Sequence, residues 1–235
     1  MPEYINNNTK LVILAAGIGS RINMGIPKGM IALVNGQTIL ERQIKIAMEF
    51  IKKENIIIIA GYKHKMISIK FPDITLVINK SYKKTNTAKS LQLALDSIKP
   101  ETTIWVNGDV VYDRSVFSYV VKSEQSCMAV NEYKTSDEEI KYSTSNNKIK
   151  KVSKTISNAE GEAVGINKIN KNDYLLLLNS LKKCNDNDYF EKGIEIAIEN
   201  GLNIYPSRIG ESFAIEVDFI EDLEKVNYYL SSNDV

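Results

Sequence analysis

The chain has 235 residues, of which 43% are hydrophobic and 25% charged, and its formal net charge is +1. That length is enough for one large α/β domain with a core of its own, and the composition is that of an ordinary soluble globular protein. The charge gives no reason to expect a general nucleic-acid binder, and two distant cysteines, Cys127 and Cys184, do not make a disulfide framework.

From the N-terminus, Met1 to Lys10 is polar and Asn-rich and lacks the apolar stretch of a signal peptide. Lys10 to Ala16 is a short apolar run that ends in a Gly-rich turn, as expected of a strand buried on both faces of a parallel sheet. Thr38 to Lys52 has helical apolar spacing, Asn55 to Ala60 reads as a second buried strand, and His64 falls in a surface turn. Ile74 to Asn79 is a third strand, Thr87 to Ile98 a helix, and Thr102 to Asn107 a fourth strand ending at Gly108-Asp109. Further on, Ser126 to Glu132 reads as a strand, Ile140 to Ile156 as a lysine-rich hairpin or loop, and Ala163 to Ile169 as another strand. Helices are expected near Asp173 to Leu181 and Tyr189 to Asn200, then a strand at Phe213 to Val217 and a closing helix at Ile220 to Leu230. The alternation predicts an α/β three-layer sandwich with a Rossmann-like, mainly parallel sheet. No linker or repeat divides the chain, so residues 1–235 are expected to form a single domain. The longest apolar run, Ile56 to Ala60, is far too short for a membrane span. A cytoplasmic location without membrane or nucleic-acid partners follows as the expectation.

The segment Leu14-Ala15-Ala16-Gly17-Ile18-Gly19-Ser20-Arg21, followed by Pro27-Lys28, carries the strongest chemistry. The loop leaves a buried strand, where ligands of open α/β sheets bind. Gly17 and Gly19 can bring backbone N–H groups close to phosphate oxygens, Arg21 offers a fork of donors, and Lys28 adds a point charge. No G-K-[ST] follows, so this is not a P-loop. Arg21 stands where a dinucleotide-binding loop has its third glycine. On these residues the chain resembles the nucleotidyltransferase superfamily, which includes sugar-phosphate nucleotidyltransferases and bacterial choline-phosphate-type cytidylyltransferases. The resemblance runs along most of the chain and is patchy after Val111. It implies a GT-A-like fold, a nucleoside triphosphate held by Leu14 to Ser20, and catalytic roles for Arg21 and Lys28 in balancing the triphosphate.

Asp109 closes a strand at the end that faces the same crevice, and magnesium prefers such hard carboxylate oxygens. In Phe213-Ala-Ile-Glu-Val-Asp218, alternation puts Ala214, Glu216 and Asp218 on one face. The resemblance matches Asp109 and Asp218 to the family's Mg2+ ligands. Asp222 reads as a helix cap, and Asp113 as an Asx turn or cap. Asn79 to Ser90 is rich in groups that can read a base edge. Base contacts are expected at Thr87, Ala88 and Ser90, against the alternative that Thr85 or Thr87 caps a helix. The resemblance also matches Glu162 and Gly165 to the acceptor pocket. Tyr189 with Glu191 could hold an amine by cation–π contact and ion pairing, unless Tyr189 and Phe190 are core residues and Glu191 is solvated. The Lys148 to Lys154 run reads as a solvated hairpin.

The short spacer between Arg21 and Pro27 resembles that of several cytidylyltransferases and implies CTP. The expected acceptor is small and phosphorylated: choline phosphate, a phosphonate, or an amino-acid phosphate such as glutamine phosphate, the substrate of cytidylyltransferases of capsular phosphoramidate synthesis, which the chain resembles in size and style. Pyrophosphate would be released. A sugar-1-phosphate nucleotidyltransferase using UTP, dTTP or GTP and a non-catalytic nucleotide-binding regulator are the alternatives. The oligomeric state is open, with a homodimer as one option.

Overall fold

The computed structural model describes residues 8–132 and 139–233. Residues 1–7, which include most of the polar N-terminal stretch, lie outside the described residues. The strands are β1 (Lys10–Ala15), β2 (Ile56–Ala60), β3 (Thr75–Ile78), β4 (Thr103–Asn107), β5 (Val110–Tyr112), β6 (Cys127–Asn131), β7 (Lys141–Ser145), β8 (Lys148–Ser153), β9 (Gly161–Ile169), β10 (Tyr205–Arg208) and β11 (Ala214–Glu216). The helices are α1 (Ile39–Ala47), α2 (His64–Lys70), α3 (Thr87–Ser97), α4 (Arg114–Lys122), α5 (Tyr174–Lys182), α6 (Phe190–Glu199) and α7 (Ile220–Asn233).

The main sheet runs β10-β6-β9-β4-β1-β2-β3. Strands β4, β1, β2 and β3 are mutually parallel, as are β6 and β10, while β9 lies antiparallel between β4 and β6. The centre of the sheet explains the unbroken apolar runs. Leu11, Ile13, Ile56 and Ile58 pack on one face with Leu40, Ile44, Val116 and Phe117. Val12, Leu14, Ile57 and Ile59 pack on the other with Leu91, Leu95, Leu177 and Ile194. Helices α1, α2 and α4 therefore cover one face, and α3, α5 and α6 the other, which is the expected three-layer sandwich. Strand β3 is at the edge, and its residues are exposed or half-buried.

Several elements differ from the sequence reading. His64 opens α2 instead of lying in a surface turn, and β5, α4 and β10 join the expected set. Strands β5 and β10 are only three and four residues long, too short for periodicity to show, whereas α4 has an apolar face as clear as that of α1 and was overlooked. The helix read over Thr38 to Lys52 stops at Ala47, with Thr38 as N-cap in a capping box with Glu41. The lysine-rich hairpin is real: β7 and β8 turn at Asn146-Asn147, both at positive φ (52° and 60°), as a tight hairpin turn requires. Its Ile149 and Val152 are nevertheless buried. The strand read at Phe213 to Val217 leaves the main sheet and pairs antiparallel with β5, so that Glu216 lies opposite Val110.

Phe213, Ile215 and Val217 do share one face, where they join Ile22, Ile31 and Leu33 from the loop region and Val226 and Leu230 of α7. Asp113 stands at the N-cap position of α4 but caps nothing. Its carboxylate instead accepts from the Phe213 N–H at 2.9 Å and from the Tyr229 hydroxyl at 2.9 Å. Tyr229 stacks on Phe213 with ring centroids 3.8 Å apart. Asp222 reaches back to the N–H groups of Asp218 and Phe219, at 3.2 and 3.0 Å, and so closes the start of α7 as expected. Tyr229→Phe would keep the stack and remove a hydrogen bond to a carboxylate. It should lower unfolding stability by about 1.5–3 kcal/mol in urea titrations.

Candidate active site

The carboxyl ends of β1 and β4 open onto a cleft, and the Gly-rich loop follows β1 directly. Gly19 adopts φ +66°, and a Cβ there would meet Lys28 Cγ at 2.7 Å, so the loop closes tightly on the lysine stem. Gly29 has no room for a side chain either: a Cβ there would meet Leu40 Cγ at 2.6 Å and the Gly108 carbonyl oxygen at 2.8 Å. The lysine turn is thereby pressed against the turn that carries Asp109.

Charge is concentrated where these turns meet. Lys28 Nζ is 2.9 Å from Asp109 Oδ2 and also pairs with Asp218 Oδ1. Arg21 Nη2 is 2.6 Å from Asp218 Oδ2, and the Arg21 guanidinium lies 5.4 Å from the Phe219 ring centroid. Burial alone would lower the Lys28 pKa, but Asp109 and Asp218 outweigh it and hold the ammonium well above the ordinary lysine range. Asp109, Glu216 and Asp218 can each offer a carboxylate oxygen within 4.8 Å of the others. Burial, then Asp109 and Asp218, push the Glu216 carboxyl far above its usual range. Three hard oxygen donors crowded with surplus negative charge fit a divalent cation of the magnesium type.

Of the residues expected to hold the nucleotide, Leu14, Ala15, Gly17, Gly19 and Ser20 line the cleft with Arg21 and Lys28. Ala16 does not: it is buried, and its carbonyl accepts from the Tyr62 N–H at 3.1 Å. Thr87 lines the cleft, whereas Ala88 and Ser90 are buried in α3 and do not. The Ser90 hydroxyl accepts from Asn79 Nδ2 at 3.1 Å, which spends it on the strand-to-helix connection. The α3 cap is Asn86, not Thr85 or Thr87. Thr87 Oγ1 instead accepts from the Phe190 N–H at 3.0 Å and ties α3 to α6.

On the expected acceptor side, Gly165, Tyr189 and Glu191 line the cleft and Glu162 does not. Glu162 lies on β9, with its N–H bonded to Asn131 Oδ1 at 3.2 Å. Phe190 is core, edge-on to Trp105 at 5.7 Å, so it anchors the start of α6 and turns its neighbours towards the cleft. Tyr189 is 44% exposed, and Glu191 is only 6% exposed. The alternatives of a core Tyr189 and a solvated Glu191 are therefore both set aside. Burial raises the Glu191 carboxyl to about 7, against weaker opposing effects of its own backbone N–H and of Lys154.

Further lining residues, among them Asn86, Asn107, Glu139, Lys154 and Glu216, were given no site role in the sequence reading. Lys154 is exposed, as the solvated-hairpin reading expected, but it also lines the cleft, with its ammonium 5.5 Å from the Tyr189 ring centroid. Glu139 is pushed up by burial and then by Glu162 and Asp218. Glu216 was legible as a face-mate of Asp218. Asn107 ends β4, next to the Gly108-Asp109 turn, whereas Glu139 and Lys154 lie outside the strands and only the tertiary fold brings them to the cleft.

A Gly-rich loop with two cations, facing three metal-competent carboxylates beside the carboxyl ends of parallel strands, is the arrangement of a nucleotidyltransferase. Residues 11–163 match the MobA-like NTP transferase domain, and the chain belongs to that family. It is 27% identical to the choline-phosphate cytidylyltransferase of Haemophilus influenzae, over 94% of this chain and 97% of that protein. In structure it resembles the CTP:phosphocholine cytidylyltransferase of Streptococcus pneumoniae, with a TM-score of 0.80 and 20% identity over 95% of this chain and 99% of that one. The inositol-1-phosphate CTP transferase of T. maritima superposes with a TM-score of 0.79 at 19% identity, covering 97% of each chain. Among the described residues, no helix is long and apolar enough to cross a membrane.

Because the folded-state pKa of Glu191 is raised, burial costs stability only when the group must ionise. That cost grows as pH rises from about 4.5, the ordinary value, through about 7. Glu191→Gln should match wild type in acid and exceed its stability by up to about 3 kcal/mol above pH 7, read from urea unfolding across pH.

Proposed function

We propose that this chain is a magnesium-dependent cytidylyltransferase that joins CMP from CTP to the phosphate of a small, amine-bearing acceptor and releases pyrophosphate. The observation that carries the acceptor class is Glu191, a buried carboxylate in the cleft wall that, among the described residues, forms no ion pair with a basic side chain. A desolvated carboxylate is costly unless it meets a cation, and the amine of choline phosphate, of an aminophosphonate or of an amino-acid phosphate would supply one. The exposed face of Tyr189 adds a cation–π surface. The match to choline-phosphate cytidylyltransferases supports CTP.

In this reading the triphosphate lies along the loop from Leu14 to Ser20, and Thr87 offers a hydroxyl for the base. Arg21 and Lys28 turn from Asp218 and Asp109 to the β- and γ-phosphates. Asp109, Glu216 and Asp218 would hold magnesium, which supplies electrostatic relief of the triphosphate charge. Lys154 offers a cation for the acceptor phosphate. An oxygen of that phosphate, already anionic, forms a bond to the α-phosphorus of CTP as the bond from that phosphorus to the β-phosphate bridging oxygen breaks. No strong general base is needed, so the protein contributes mainly position and electrostatics.

A pyrophosphate-release screen of four nucleoside triphosphates against choline phosphate, aminophosphonates, amino-acid phosphates and hexose 1-phosphates tests the assignment. Highest turnover with CTP and an amine-bearing acceptor is expected, and a hexose 1-phosphate as best substrate would replace the proposal with the sugar reading. Asp109→Asn should abolish most turnover while the circular dichroism spectrum is kept. Lys28→Ala and Arg21→Ala should each lose about tenfold to a hundredfold in kcat/KM, as expected for one charge-assisted phosphate contact. Glu191→Gln should lower kcat/KM for the amine-bearing acceptor and leave the KM for CTP alone. An unchanged acceptor preference in that variant would remove Glu191 from the acceptor site.

A further inference from the structure

Gln43 is a buried polar residue with no part in the chemistry above. It lies on α1 and is 1% exposed. Its amide Nε2 donates to the Asn107 carbonyl at 2.9 Å and to the Val110 carbonyl at 2.7 Å. Those two carbonyls bracket Gly108-Asp109, the turn between β4 and β5. Both amide hydrogens are thus spent on the two ends of the turn that carries Asp109. The middle of the turn is held from elsewhere: the Gly108 N–H donates to the Leu14 carbonyl, and the Val217 N–H to the Asp109 carbonyl, each at 2.9 Å.

Gln43 Oε1 is buried with no partner. Leaving an acceptor unpaired is unfavourable, and an apolar side chain of the same length would avoid it. The apolar side chain would also take a donor away from each of two main-chain carbonyls. The arrangement accepts one orphan oxygen to pin two main-chain positions.

We infer that Gln43 is a positioning residue, which sets the Asp109 carboxylate within the Asp109, Glu216 and Asp218 cluster by clamping both ends of its turn. The inference rests on the reading of Asp109 as a metal ligand. Without the clamp the turn keeps its anchors at Gly108 and Asp109, so the carboxylate should lose its aim while the fold persists. Residues that orient metal ligands commonly act in this way.

The test is Mn2+ binding by the full chain, without nucleotide, read from the electron paramagnetic resonance signal of free Mn2+. Gln43→Met, which keeps length and removes both donors, should weaken Mn2+ binding by about 10–100-fold and lower kcat in the same range. The KM for CTP at saturating metal should stay near wild type. A folded Gln43→Met protein with lower Tm and wild-type Mn2+ affinity would make the clamp merely structural and overturn the inference. If that variant does not fold, Gln43→Asn, whose shorter amide cannot span both carbonyls, is read by the same criterion. Asp109→Asn separates the two levels. If it binds Mn2+ like wild type, the metal reading fails and this inference with it. If it loses Mn2+ while the Gln43 variants do not, the positioning role alone is wrong.

Discussion

Three carboxylates gathered within 4.8 Å repel one another, and the structure depends on the cation that offsets them. Lys28 is bonded to two of the three and Arg21 to one. Lys28 is also the residue on which the Gly-rich loop closes, so one ammonium links the loop, the Asp109 turn and the Asp218 segment. Loss of any one of these would leave charge buried without compensation, which is costly. The lysine that suits a triphosphate therefore also serves as the counter-ion of the cluster.

Backbone pairing makes that cluster possible. Glu216 ends β11, outside the main sheet, and Asp218 follows it; the antiparallel pairing of β11 with β5 brings both beside Asp109. The Val217 N–H bonded to the Asp109 carbonyl extends the pairing into the site. Behind it, α7 is fastened by the Asp113 bond to Tyr229 and the Phe213 stack. The C-terminal helix, distant in sequence from the loop, packs with Ile22 and Ile31 and so steadies the region that carries Arg21 and Lys28.

The other half of the cleft is built differently. The start of α6 is pinned by Phe190 against Trp105, and by the Thr87 hydroxyl against the Phe190 N–H. Glu191 is held in the wall by this anchoring and, among the described residues, by no salt bridge, which leaves its charge to be met from the cleft. Lys154 enters from the end of a surface hairpin and balances Glu191 only in part, since Glu191 remains raised to about 7.

The strands of the main sheet were legible because a strand buried on both faces must be apolar throughout, as Leu11 to Ala15 and Ile56 to Ala60 are. The loop from Leu14 to Arg21 and the carboxylates Asp109 and Asp218 could also be picked out, on residue type at strand ends and on the family resemblance, and all of them but Ala16 and Ile18 line one cleft. What the linear sequence could not settle was which polar side chains near those ends face the cleft. Ser90 has the same chemistry as Thr87, but one turn of helix buries it against Asn79. Lys154 reads like the other lysines of its hairpin and is as exposed, yet the packing of β8 against α6 sets it beside Tyr189 at the cleft. Gln43 reads as one polar residue in an amphipathic helix, and only the β4–β5 turn packed against it gives its amide two carbonyls to hold. Local pattern sets which segments are buried, whereas contacts between distant segments decide which buried or half-buried polar groups share one site. That second choice is made by tertiary structure because it depends on distances across the fold that no single segment encodes.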